Sequence, residues 1–206
     1  MQDLHPDFVR KVKEVMASLK KHEHEYGELL TGNIIFRKRL EGVGMLTPEL
    51  AISLGCTGPV ARGSGISCDV RKHAPYDAYS QVEFKEILFP GGDCMNRYMV
   101  RMKEMKESIS IIEQLIDRIP EGSFRNKPKG MLKLPEGEDY QRVETARGEL
   151  GVYIVADGTA KPWRVKFRTP NFSNLTALKP LSIGSKVGDL VAIMSTLDLI
   201  IPDIDR

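Results

Sequence analysis

Few residues in this chain could do chemistry, and the familiar catalytic spacings are missing. Three cysteines, Cys56, Cys68 and Cys94, form no CxxC pair, whereas iron–sulfur or zinc ligation needs clustered thiolates. An odd, unpaired set argues against a disulfide framework and suits a reducing compartment, with the thiols serving as core residues. His22 and His24 sit in the run Lys20-Lys21-His22-Glu23-His24-Glu25. Two residues apart on a helix, they point to different sides, so a solvated face is a better reading than a metal site. There is no GxGxxG, phosphate loop, HExxH or GxSxG. What remains is a loop. Gly55–Gly65 holds Gly55, Gly58, Gly63, Gly65 and Pro59, which exclude regular structure and let the backbone approach something closely. A tight crossing between helices and a ligand contact both fit this loop. Asp198 ends an apolar helical stretch, where an unpaired buried carboxylate would be costly, so a cationic partner is expected.

The 206 residues carry 30 Lys plus Arg against 28 Asp plus Glu, a formal net charge of +2, and 41% are hydrophobic. That supports one sizeable core. It gives no broad basic field of the kind that captures nucleic acid, so nucleic acid is not an expected partner. No apolar run reaches the roughly 18–20 residues that span a bilayer, and Met1–Arg10 lacks the apolar stretch of a secretory signal. The expectation is a cytosol-facing chain that meets a membrane only through partners.

Periodicity gives the elements that must position these groups. Phe8, Val9, Val12, Val15, Met16, Leu19, Tyr26 and Leu30 predict a long helix over 6–30, with Pro6 in its first turn. Thr47-Pro48-Glu49 opens a short helix that ends at Gly55. Asp93 caps a strong helix with the stripe Met95, Tyr98, Met99, Met102, Ile109, Ile112, Leu115, Ile116 and Ile119, stopped by Pro120. Methionines at this spacing fill cores before they form a cofactor box. Residues 120–139, rich in Pro, Gly, Lys and Glu, predict a linker or surface excursion. The period then changes to two. Leu150, Val152 and Ile154, a turn at Asp157-Gly158, and Trp163, Val165 and Phe167 alternating with Arg164, Lys166 and Arg168 predict an antiparallel hairpin. A third strand is expected near Tyr140–Thr145, making 140–168 a small β element. The basic stripe either faces solvent or docks an acidic neighbour. Ser185–Leu197, apolar on more than one side, predicts a buried helix. The expected fold class is α+β.

Laid along these elements, the residues carry a resemblance. Gly55–Arg71, then Pro75-Tyr76-Asp77, Gly92-Asp93, Arg97-Tyr98, Val100-Arg101, Glu104-Met105 and Ser108 resemble the quinone-site subunit of respiratory complex I, the 49 kDa or D subunit. Glu144–Gly158 resembles that family's Glu-Ala-Pro-Lys-Gly-Glu segment and the strands after it. Pro162-Trp163-Arg164, Lys166, Arg168, Pro170, Phe172, Asp189, Ser195-Thr196-Leu197-Asp198 and Asp205-Arg206 resemble its C-terminus in order and spacing. Residues 1–206 thus read as a single C-terminal region of such a subunit. The family is more distantly related to the large subunit of nickel-iron hydrogenases, which implies a mainly helical hydrogenase-like core. There a C-terminal Asp-Pro-Cys-x-x-Cys supplies two metal thiolates, and the cysteine positions fall here at Ile200 and Asp203. Those side chains cannot replace thiolates, so the resemblance implies a metal-free cavity.

The function implied is that of a non-autonomous subunit in the quinone-reducing module of a membrane-associated NADH, or related donor, quinone oxidoreductase. Carried over residue by residue, Asp198, Ile200 and Arg206 line or support the inner end of a quinone pocket. Arg147 stands where hydrogenases hold an Arg over the active site and most quinone subunits hold Lys, and Gly58, Arg62, Gly63 and Gly65 form a loop near the site. No cofactor is expected on this chain; quinone is the substrate, and NADH and the iron–sulfur clusters belong to partner subunits. The implied partners are other peripheral-arm subunits, including the one with the terminal iron–sulfur cluster, membrane subunits, and an N-terminal half containing the family's headgroup His and Tyr. A split-gene half or a truncated product is expected, located peripherally on the cytoplasmic face of a bacterial or archaeal inner membrane. Pro202 and Asp203 stand where Gly and Glu are usual, so the C-terminal loop is expected to differ. The alternatives are a subunit of a membrane-bound hydrogenase-related complex and a non-catalytic remnant or assembly subunit.

Overall fold

Two long helices set the frame. In the computed structural model, which describes residues 3–123 and 133–205, α1 (Phe8–Tyr26) runs into a π-helical turn at Gly27–Thr31, matching the helix predicted over 6–30. The partner helix, α6 (Cys94–Leu115), starts where Asp93 accepts from the Asn96 N–H at 2.8 Å and ends in a 3-10 turn at Ile116–Arg118. Ion pairs Lys13–Asp117, Lys20–Glu113 and Lys106–Glu23 clip the two together. Exposed pairs of this kind contribute little energy, but they hold the register.

Short helices fill the interval: α2 (Ile34–Leu40), α3 (Pro48–Ser53), α4 (Gly58–Arg62) and α5 (Val70–His73). The main core gathers Leu40, Leu46, Ala51, Val60, Ala61, Cys94, Ile193 and Leu197. A satellite cluster of Val82, Phe84 and Ile111 covers the far end of α6. Being covered on different faces along its length, α6 does not keep the single stripe predicted for it. Arg97 and Val100 are buried, whereas Met105, Ile112 and Ile119 are exposed. The helix α4 corrects the expectation that Gly55–Gly65 is irregular throughout. Pro59 occupies its first turn, where a missing N–H costs nothing, and all five residues are buried.

The sheet is antiparallel in the order β1 (Gly137–Thr145), β2 (Gly148–Ala156), β3 (Arg164–Arg168), with Val143 opposite Leu150 and Ile154 opposite Val165. The fold is therefore α+β, with β1 beginning inside the segment read as linker; Arg206 and residues 124–132 lie outside the described residues. The chain closes with α7 (Pro170–Leu175), α8 (Leu178–Ser182), α9 (Val187–Leu197) and α10 (Ile201–Ile204). The helix α9 is not buried all round as predicted. Ile193, Thr196 and Leu197 face the core, while Val187, Val191 and Met194 are exposed, because α2, α6 and α8 meet only part of its surface.

The crossing that locates the site depends on two glycines. Gly58 (φ +66) and Gly148 (φ +132) meet so closely that a Cβ on Gly58 would lie 2.4 Å from the Cα of Gly148. The glycine-rich loop is thereby pressed against the β1–β2 turn. Gly58→Ala is expected to lower the free energy of urea unfolding by about 2–4 kcal/mol. Gly42→Ala, also left-handed (φ +71) but in open space, should cost about 1–2 kcal/mol. Equal losses for the two variants would remove steric contact as the cause.

Candidate functional site

The site is assembled from charged groups that the fold buries. Arg62, the last residue of α4, is 1% exposed; its Nε donates to Glu104 Oε1 at 2.6 Å and its Nη1 to Glu144 Oε1 at 2.7 Å. Glu104 comes from α6 and Glu144 from the end of β1. The second oxygen of Glu144 accepts from the Val70 N–H at 3.2 Å, and its backbone N–H donates to the Tyr76 hydroxyl at 3.1 Å. Burial pulls the Arg62 guanidinium down, but Glu104 and Glu144 outweigh it and hold it above its ordinary value. Burial raises Glu144, and Arg62 offsets only part of that. Beside them, Arg71 grips Asp69 through Nε at 2.9 Å and Nη2 at 2.7 Å. Burial raises Asp69, but this fork wins and leaves the carboxyl below its usual range.

A second group stands at the end of α9. Asp198 adopts a left-handed conformation (φ 56) as the cap of that helix. Its Oδ2 lies 3.3 Å from Arg147 Nε and 3.8 Å from Arg101 Nε. The cationic partner expected for Asp198 is thus present twice, although the carboxylate is 32% exposed rather than fully buried. Arg101 Nη1 donates to the Arg97 carbonyl at 2.9 Å. Burial pushes Arg101 down to about 10, with Asp198 working the other way, so it remains a cation at neutral pH.

Both groups line one cavity of about 550 Å³ between α1, α6 and the β1–β2 turn. Met16, Leu19, Met105, Ile109 and Ile112 make its apolar wall. Arg62, Arg147 and Asp198, far apart in sequence, meet there. Ile200 is not among its lining residues and sits at the start of α10. Gly58, Gly63 and Gly65 do not line it either. Gly63 lets Arg97 pass, since a Cβ there would be 2.8 Å from Arg97 Cγ, and Gly65 packs beside Pro90. Arg101, Glu104 and Glu144 received no role from the sequence. A signal was available: Arg97, Arg101 and Glu104 recur at i, i+4 and i+7, a charged stripe along one face of α6.

The hydrogenase metal positions do not make a donor set. Ile200 has no ligating atom, and Asp203 accepts from the Asn171 N–H at 3.1 Å, which holds the start of α7. Burial raises Cys56 and Cys68 to about 11, which keeps both as thiols at neutral pH. Among the described residues, no three His, Cys, Asp or Glu side chains are grouped to share a metal ion.

Comparison with known proteins decides the family. The family "Respiratory-chain NADH dehydrogenase, 49 Kd subunit" matches residues 1–132 and 128–206. This chain belongs to that family. A relative in Phocaeicola vulgatus, the C/D subunit of its NADH-quinone oxidoreductase, is 50% identical over 204 residues, covering 99% of this chain and 39% of its own length. The corresponding D subunit of NADH-quinone oxidoreductase in Desulfotalea psychrophila is 43% identical over 99% of this chain and 55% of its own. Among solved structures, a chain of an archaeal respiratory membrane complex, the membrane-bound sulfane sulfur reductase, superposes with a TM-score of 0.94 at 35% identity, over 100% of this chain and 57% of that one. The 49 kDa-family chain described here spans about half or less of the curated relatives it matches.

The buried pairs of this 49 kDa-family chain make a direct stability test. Arg62→Met leaves Glu104 and Glu144 facing each other without their cation and is expected to cost about 3–5 kcal/mol in urea unfolding. Glu104→Gln, with its side chain 18% exposed and Arg62 still held by Glu144, should cost less than half of that. Similar losses for both would contradict the assignment of Arg62 as the shared partner.

Proposed function

We propose that this chain forms the charged inner end of a quinone-reducing site in a membrane-associated NADH, or related donor, quinone oxidoreductase. One observation carries the reading: a single cavity joins an apolar helical wall to two guanidiniums that share one carboxylate. A quinone has matching chemistry, with an apolar tail and ring whose oxygens take up negative charge and protons on reduction. Groups whose protonation responds to that charge suit such a site, and Glu144, whose carboxyl burial raises, is of this kind. Asp198 and Arg147 touch the headgroup region in this reading, and Ile200 supports the inner end. The loop of Gly58, Gly63 and Gly65 holds Arg62 in place.

The chain acts as a non-autonomous C-terminal region, built on a hydrogenase-like helical core without the metal. Electrons come from NADH through iron–sulfur clusters in neighbouring peripheral-arm subunits, one of which holds the terminal cluster next to this cavity. The remaining half found in longer relatives completes the pocket, and membrane subunits attach the assembly to the cytoplasmic face of a bacterial or archaeal inner membrane. No described helix is long and apolar enough to cross a membrane. The structural likeness to a sulfane sulfur reductase chain favours a second reading, a related respiratory complex with another acceptor. The relatives named as quinone oxidoreductase subunits are more similar in sequence and support the first.

Asp198→Asn tests the proposal. Asn tolerates the left-handed conformation and keeps the volume, so only the charge is lost. Quinone reduction per assembled complex, measured on the same membranes as the amount of complex, is expected to fall about tenfold with assembly maintained. Unchanged turnover would leave Asp198 a helix-end partner only.

A further inference from the structure

We infer that Arg101 donates hydrogen bonds to an ionised ligand oxygen, so that this end of the cavity selects anionic quinone forms over neutral ones. The inference rests on the quinone reading above and adds the residue and the charge state that the site prefers.

The argument begins with charge. In the Arg101–Arg147–Asp198 group, two guanidiniums share one carboxylate, which leaves one positive charge with no carboxylate in contact; Arg97 adds to it, and Glu104, held by Arg62, offsets it only from a distance. In the Arg62–Glu104–Glu144 group, one guanidinium faces two carboxylates and leaves one negative charge. Of the other charged groups lining the cavity, Arg71 is cancelled by Asp69, and Glu23 is paired with Lys106. The cavity therefore has two poles of opposite sign.

Hydrogen bonding distinguishes the positive pole further. Arg101 uses Nη1 on the Arg97 carbonyl of its own helix. Its Nε and Nη2 are buried without a hydrogen-bond partner among the described residues. Asp198 at 3.8 Å balances charge but lies beyond hydrogen-bonding distance. Buried donors left unmade are uncommon and costly, and an acceptor oxygen at the cavity end would relieve both. The fork is already oriented, because α6 fixes its backbone and the Arg97 carbonyl fixes its third nitrogen. A neutral carbonyl could accept from it. An enolate oxygen accepts a charge-assisted bond and also cancels the excess positive charge, so it should bind more tightly.

The test uses two ligands that differ in that charge: 2-hydroxy-3-methyl-1,4-naphthoquinone, ionised at neutral pH, and its neutral methyl ether. Substitution at both ring positions discourages addition of thiols. Competition of each ligand against quinone reduction by the native assembled complex, on membranes at neutral pH, is expected to give about tenfold tighter binding of the anion. Arg101→Gln should weaken binding of the anion about tenfold more than that of the ether and so abolish the preference. Arg101→Lys keeps the charge without the fork and should retain only part of the preference, which covers the case in which Arg101→Gln does not fold. Equal binding of both ligands by the wild type, or a preference that survives in either variant undiminished, overturns the inference and leaves the quinone reading standing. Failure of the wild-type complex to bind either ligand overturns that reading as well.

Discussion

The Arg62 guanidinium, buried between Glu104 and Glu144, is the constraint on which the rest of the architecture depends. Its two partners lie 42 and 82 residues away in sequence, on α6 and on β1. A buried charge without its partner is strongly unfavourable, so the helical body and the small sheet close together only in the arrangement that brings all three segments to one point. Arg97 does the same for the other side of the body. Fully buried, it donates to the carbonyls of Gly44 and Gly92 at 3.0 and 2.8 Å and reaches Thr196 on α9. Burial lowers its pKa, with Cys94 and Asp93 acting in the opposite sense.

The position of the second charged group follows from these two anchors. Glu144 is three residues before Arg147, and Thr196 is two residues before Asp198, so fixing the first of each pair brings the second to the cavity. Arg101 follows one helical turn after Arg97 and faces the same space. The cavity thus gains one apolar wall and two charge poles from groups whose first role is to hold the fold. Residues that hold the fold also line the cavity, which is why the proposed function is tested by a charge-only substitution at Asp198, farther from the buried anchors.

Elements with a clear period were legible in the sequence. The hairpin, its third strand and the two long helices follow from alternation and helical spacing in residues such as Val152, Val165, Val12 and Ile109. Local signals misled where tertiary contacts dominate. Counting glycines over Gly55–Gly65 hid α4, because Pro59 favours a first turn and burial stabilises the rest. The apolar content of α9 suggested burial on all sides, yet packing reaches only the side of Ile193 and Leu197. The site was half legible. That Asp198 needs a cation follows from elementary solvation; that Arg101 stands beside it does not, since arginine ordinarily reads as surface. The family resemblance supplied Arg147 and Asp198, whereas the electrostatic imbalance between the two poles needed three-dimensional placement.

The central claim is that the reacting ring sits in the cavity between α6 and the β1–β2 turn. A structure of the native assembled complex with a short-chain quinone bound tests it most directly. The account predicts the ring inside that cavity, one oxygen within hydrogen-bonding distance of the Arg101 or Arg147 guanidinium, and the tail along Met16 and Ile112. A ring seated elsewhere, with side chains of a neighbouring subunit filling this cavity, would contradict it.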